Sequence, residues 1–113
     1  TDMTVPNQHL TVDVPTTISK FVALGMPLEA ALAAATGAAA AKLGLGRTTG
    51  RIAPGLEADL ALCELQEGRF DYADTYGHTV RGTQRLVPLE TFRRGRRLEP
   101  LLRRTRRYGF VIQ

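Results

Sequence analysis

Apolar residues recur at helical spacing up to Leu45 and at strand spacing beyond it, and that one change limits the folds open to a chain of 113 residues. Ile18, Phe21 and Val22 fall at i, i+3 and i+4 after Pro15-Thr16-Thr17, with Gly25 as the stop. A second helix is predicted from Pro27, where Glu29 complements the positive end of the helix dipole and Leu28, Ala31, Leu32 and Ala35 form a stripe. Thr36-Gly37 interrupts it, and Ala38 to Leu43 form a third piece closed by Gly44. The alanine-dense run from Ala30 to Ala41 reads as helix built for close approach to a neighbour, because alanine favours helix and adds little bulk.

Beyond Leu45 the signals are those of strands and turns. Gly50 to Gly55 reads as a short extended segment entering a turn. Asp59 to Leu65 reads as a strand covered on both sides, since Leu60 and Leu62 lie on one face and Ala61, Cys63 and Leu65 on the other. Tyr76-Gly77-His78 is a predicted turn and Thr79 to Arg81 a short strand. Arg85 to Arg93 and Arg96 to Leu98 are predicted to pair as a hairpin through Arg94-Gly95. Helices followed by strands predict an α+β arrangement with a small antiparallel sheet.

Composition narrows the chemistry. A single cysteine, Cys63, excludes an intrachain disulfide and a multi-cysteine zinc knuckle. Two histidines, His9 and His78, are too few for a self-contained histidine-rich metal centre. The net charge of +4 is uneven: residues 1–92 hold 7 Lys+Arg and 10 Asp+Glu, whereas residues 93–113 hold 8 Arg and one acid, Glu99. The basic character therefore belongs to the end of the chain. No apolar run approaches the roughly 18 residues of a membrane-spanning helix. The chain opens on Thr1-Asp2 with no initiator Met, no basic-then-apolar signal and no small-residue cleavage site, so either the protein is processed or its beginning is missing; the location expected is cytoplasmic.

Two segments carry a family resemblance. Gly50-Arg51-Ile52-Ala53-Pro54-Gly55-Leu56-Glu57-Ala58-Asp59-Leu60-Ala61-Leu62 resembles the C-terminal signature of the amidohydrolase superfamily, metal-dependent hydrolases related to dihydroorotase. Pro15 to Glu29 is similar to the amidohydrolase/deacetylase subgroup, and Gly82 to Leu86 and Arg94-Gly95-Arg96 resemble its last strands. The likeness covers nearly all of residues 1–98. It implies the last strand end and helices of a (β/α)8 barrel in residues 1–45, part of a small antiparallel β-sandwich in 46–98, and a basic tail in 99–113. One departure is local: Ala35-Thr36 is followed by Gly37-Ala38-Ala39 where the family often has Asn-Pro, so the next helix is expected to start differently.

The resemblance also implies chemistry. It places Thr1-Asp2 at the end of the eighth barrel strand, which makes Asp2 the candidate catalytic residue, beside or on the metal, passing a proton from the attacking water to the leaving group. His9, in the following loop, is the candidate for substrate contact, although a solvated loop histidine is the plainer reading. The implied cofactor is a divalent metal, zinc, in the intact enzyme. The chain lacks the His-x-His pair, the bridging lysine or carboxylate and the later histidines of such a site, so it is not expected to retain the metal or to hydrolyse substrate alone. The implied partners are a small acylated substrate, the missing N-terminal part and further copies of the chain.

The remaining chemistry-bearing residues have structural readings. Cys63 reads as a small buried hydrophobe, His78 as a surface residue, and Asp59 as an acceptor of turn hydrogen bonds at a strand entrance. Gly44-Leu45-Gly46-Arg47 is too short for a phosphate loop. A different class of function, a non-catalytic module binding nucleic acid or another anionic partner, rests on Arg93, Arg94, Arg96, Arg97, Arg103, Arg104, Arg106 and Arg107, with Tyr108 and Phe110 for stacking. No nucleic-acid-binding fold is recognisable to accompany it, so this reading stands second.

Overall fold

The structure is a computed structural model that describes residues 13–99 and, for the backbone alone, 102–105 and 109–112. Helix α1, Val14–Ala23, starts where Asp13 turns its carboxylate onto the Thr16 N–H at 2.6 Å, with Pro15 in the first turn. It ends at Gly25, whose φ of +101° reverses the chain. Helix α2, Leu28–Ala35, begins one residue later than the sequence suggests, with Pro27 as its cap. Thr36, at φ −124° and ψ −92°, both closes α2 and opens α3, Gly37–Lys42.

Strands β1 (Leu60–Ala73) and β2 (Thr79–Arg93) form one long antiparallel hairpin, and β3 (Arg96–Leu98) returns along β2, giving the order β1-β2-β3. The backbones of β4 (Leu102–Thr105) and β5 (Gly109–Ile112) pair antiparallel as a separate two-stranded ladder. Residues 79–81 and 85–93, read from sequence as two strands, are thus one, and β1 runs well past Leu65. The ladder slips between Leu62 and Cys63 and between Glu67 and Phe70, and these bulges break the strict alternation that sequence pattern relies on. Residues 50–55 leave a bend at 49–51 and enter the expected turn at Pro54-Gly55, where the Leu56 N–H bonds the Ala53 carbonyl at 3.3 Å; no strand forms before it, and Ile52 is 89% exposed.

The core forms where α1 and α2 meet the sheet. Ile18, Ala31 and Leu86 are buried together, with Val22, Leu28 and Cys63 packed partly against them. Cys63 is therefore half-buried at the edge of the core. Helix α1 can approach β2 because position 82 has no side chain: a Cβ there would lie 2.9 Å from the Ala23 Cβ and 3.1 Å from the Tyr72 ring. The cover expected on both faces of the first strand is not supplied by the described residues. Leu60, Leu62 and Leu65 stay 40–52% exposed, because α1 packs on β2 and the helix core touches β1 here through Cys63.

Candidate functional site

Asp2 and His9, the residues to which the resemblance assigns catalysis, metal and substrate, lie outside the described residues. What the structure assembles is a cleft of about 250 Å³ between the second half of α1 and the tip of the β1–β2 hairpin, lined by Lys20, Tyr72, Asp74, His78 and Thr79 with apolar neighbours. Lys20 reaches across from the last turn of α1, its Nζ donating to the Ala73 carbonyl at 3.2 Å. Tyr72 is buried and its hydroxyl donates to the Gln84 carbonyl at 3.2 Å.

Asp74 organises the hairpin tip. Its Oδ1 accepts the N–H groups of Tyr76 and His78, both at 2.8 Å, while Oδ2 lies 2.9 Å from His78 Nδ1. Gly77 supplies the positive φ that closes the turn. The side-chain hydrogen bond from His78, reinforced by the two backbone donors, holds the Asp74 carboxyl below its usual 3.8. An aspartate orienting an imidazole is also half of a catalytic dyad. Here the His78 side chain is 81% exposed and none of the other cleft residues is a paired nucleophile, so the pair serves the turn. His78 is the surface residue its sequence position suggested.

A depressed carboxylate contributes stability that is fully present above its unfolded value, near 3.9, and is lost as pH falls through the lower folded value. The Asp74 side-chain carbonyl is therefore expected to titrate below 3.8, with the amides of Tyr76 and His78 sharing its midpoint. Carbon-13 and amide NMR titration measures this. His78→Ala is expected to return the midpoint toward 3.8, and an unmoved midpoint would assign the depression elsewhere.

Other sites read from sequence resolve into structure. Asp59 accepts the Arg94 N–H at 2.7 Å, which pins the β2–β3 turn as its place at the strand entrance suggested. Burial, and secondarily the charge of Asp13, pushes the Cys63 thiol up from 9.0, away from nucleophilic use. Two organising residues escaped the sequence reading. Asp13 shows the N-cap signal of an aspartate just before a Pro-containing first turn, whereas Ser19 carries no local signal at all. Among the described residues no group of three or more His, Cys, Asp or Glu stands together, so they do not fit a catalytic zinc, which takes three protein ligands and a water. No helix among them is long and apolar enough to cross a membrane.

The family model described as Amidohydrolase family matches residues 9–98. A crystal structure of an adenine deaminase has the same fold over 88% of this chain, with a TM-score of 0.78 at 24% identity, and the matched part is 27% of that protein. This chain thus spans about a quarter of that relative's length. No curated protein matches.

Proposed function

The chain belongs to the amidohydrolase family, and from that premise we propose that it is the C-terminal part of a metal-dependent hydrolase of the deacetylase type, acting on acyl amide or ester bonds. The observation that carries this reading is the unbroken family match through 9–98, across both the helices and the sheet. The acyl substrate is supported by the segment Pro15 to Glu29. The likeness to an adenine deaminase supports the fold and leaves the substrate to other observations.

In this reading Asp2 carries a proton between the attacking water and the leaving group, and His9 contacts the substrate. The divalent metal, zinc, supplies Lewis acidity when bound. Asp2 apart, its ligands would belong to the remainder of the enzyme. The same remainder covers Leu60, Leu62 and Leu65, whose exposure makes self-association the expected behaviour of the chain in isolation. The location proposed is cytoplasmic.

The test is complementation. The chain is expected to show no metal-dependent hydrolysis of N-acetyl or O-acetyl substrates by itself. Co-expressed with the part encoded upstream of it, it is expected to restore turnover, and Asp2→Asn is expected to lower kcat by at least about a hundredfold, the scale of a lost proton-transfer group. Hydrolysis by the chain alone would sink the incompleteness. Release of ammonia from an aminopurine, with acylated substrates untouched, would replace the deacetylase reading by a deaminase one.

A further inference from the structure

The hairpin between β2 and β3 places two like charges where a sheet ordinarily avoids them. Arg93 and Arg96 are the directly opposed pair beside the Arg94-Gly95 turn. Directly opposed residues share a face with Cβ atoms about 5 Å apart, and like charges there are destabilising. Their neighbours are neutralised: Arg97 lies 3.0 Å from Glu90, and Arg94 stands 3.8 Å from Glu57. Arg93 and Arg96 are exposed and have no acidic partner among the described residues.

The turn holding them is fixed rather than floppy. Arg94 and Gly95 take φ of +49° and +74°, the left-handed pair of a two-residue hairpin turn. The loop before β1 clamps it, with the Arg94 N–H on Asp59 and the Gly95 N–H on the Ala58 carbonyl at 3.0 Å. Two guanidinium forks on one face of a clamped turn are a matched pair of donors for one tetrahedral oxyanion. The sequence then repeats itself: Arg-Arg-Gly-Arg-Arg at 93–97 returns as Arg-Arg-Thr-Arg-Arg at 103–107. A repeated motif of this kind suits a ligand with repeated charges better than a single small anion.

We propose that the arginine-paired β2–β3 turn is a docking surface for the phosphodiester backbone of nucleic acid, read by charge and not by base; the second Arg-Arg-x-Arg-Arg motif enters only as charge in the sequence. The inference is independent of the hydrolytic reading. A simpler use of the same arginines is to keep the edge strand β3 from pairing with other chains. That role predicts no ligand, so binding separates the two.

The experiment is fluorescence anisotropy of the full chain with a labelled single-stranded DNA of about 20 nucleotides over a salt series. Neutralising about five phosphates is expected to weaken binding at least about a hundredfold between about 50 and about 200 mM salt. Arg93→Gln with Arg96→Gln is expected to lower affinity about tenfold and to flatten the log–log salt slope by about 1.4, two phosphates' worth. Arg81→Gln, at the far end of the hairpin where Arg81 pairs with Asp71, is expected to leave binding unchanged. Circular dichroism confirms that each variant folds. Absent binding, equal binding to polyglutamate, equal binding to phosphatidylglycerol vesicles, or a double variant with the parent's slope would each overturn the proposal.

Discussion

Ser19→Ala is expected to lower the stability of the chain by about 2 to 3 kcal/mol, the cost of leaving a buried backbone donor unsatisfied. Ser19 is 2% exposed. Its hydroxyl donates to the Pro15 carbonyl at 2.7 Å and accepts the Leu86 N–H at 2.9 Å. The second bond joins helix to sheet. Strand β2 pairs with β1 through Leu86↔Leu65, but β3 reaches only as far as Thr91 on the other side. The Leu86 N–H would otherwise end inside the core beside Ile18 and Ala31. Urea denaturation measures the loss, and hydrogen exchange localises it: the Leu86 amide should lose more protection than its neighbours. Thr36→Ala is the control, because Thr36 makes the same helix-internal bond to Leu32 at 2.7 Å from an exposed position, and is expected to cost under about 0.5 kcal/mol. Equal effects would show that the Leu86 bond contributes nothing particular.

Gly50→Ala is expected to cost about 4 kcal/mol, a large fraction of the total stability of a small domain, which is of order 5–15 kcal/mol. Two effects add. Gly50 holds φ of +94°, where a side chain carries a backbone penalty of about 1 to 2 kcal/mol. A Cβ there would also fall 2.5 Å from the Ala40 Cβ and 3.2 Å from the Gly37 Cα. Neither neighbour can rotate away, so the backbone must shift, adding about 1 to 3 kcal/mol of overpacking. Gly55→Ala separates the terms. Gly55 has a similar φ of +85° with nothing within 4 Å of the added atom, and is expected to cost only the backbone part, about 1 to 2 kcal/mol. Matching denaturation midpoints for the two variants would remove the steric argument.

Much of the architecture was legible in the residues. Helix spacing around Ile18 and Ala31, the breaks at Gly25 and Gly44, and the Arg94-Gly95 turn all depend on neighbours within a few positions, and each appears where pattern placed it. The segments around 15–29 and 50–62 placed the chain in the amidohydrolase family, which the match over 9–98 shows. The candidate site was legible only as a family inference, since Asp2 and His9 lie outside the described residues. The errors cluster where pattern loses its meaning. The bulge after Glu67 interrupts alternation, so pattern ends the first strand at Leu65 while β1 continues to Ala73, and the segment around Ile52 pairs with no strand.

By itself, then, the sequence determined the order of helices and sheet, the family, and the concentration of positive charge after residue 92. These follow from local propensity, short-range turn chemistry and motif identity, which need no knowledge of distant contacts. Tertiary structure alone decided that Ser19 completes the edge of β2, that Gly82 admits Ala23, that Gly50 lies against Ala40, and that Arg93 faces Arg96 away from the acids that neutralise their neighbours. The physical reason is separation along the chain. Ser19 and Leu86 stand 67 residues apart, and a buried bond across that distance leaves no periodic trace in either segment.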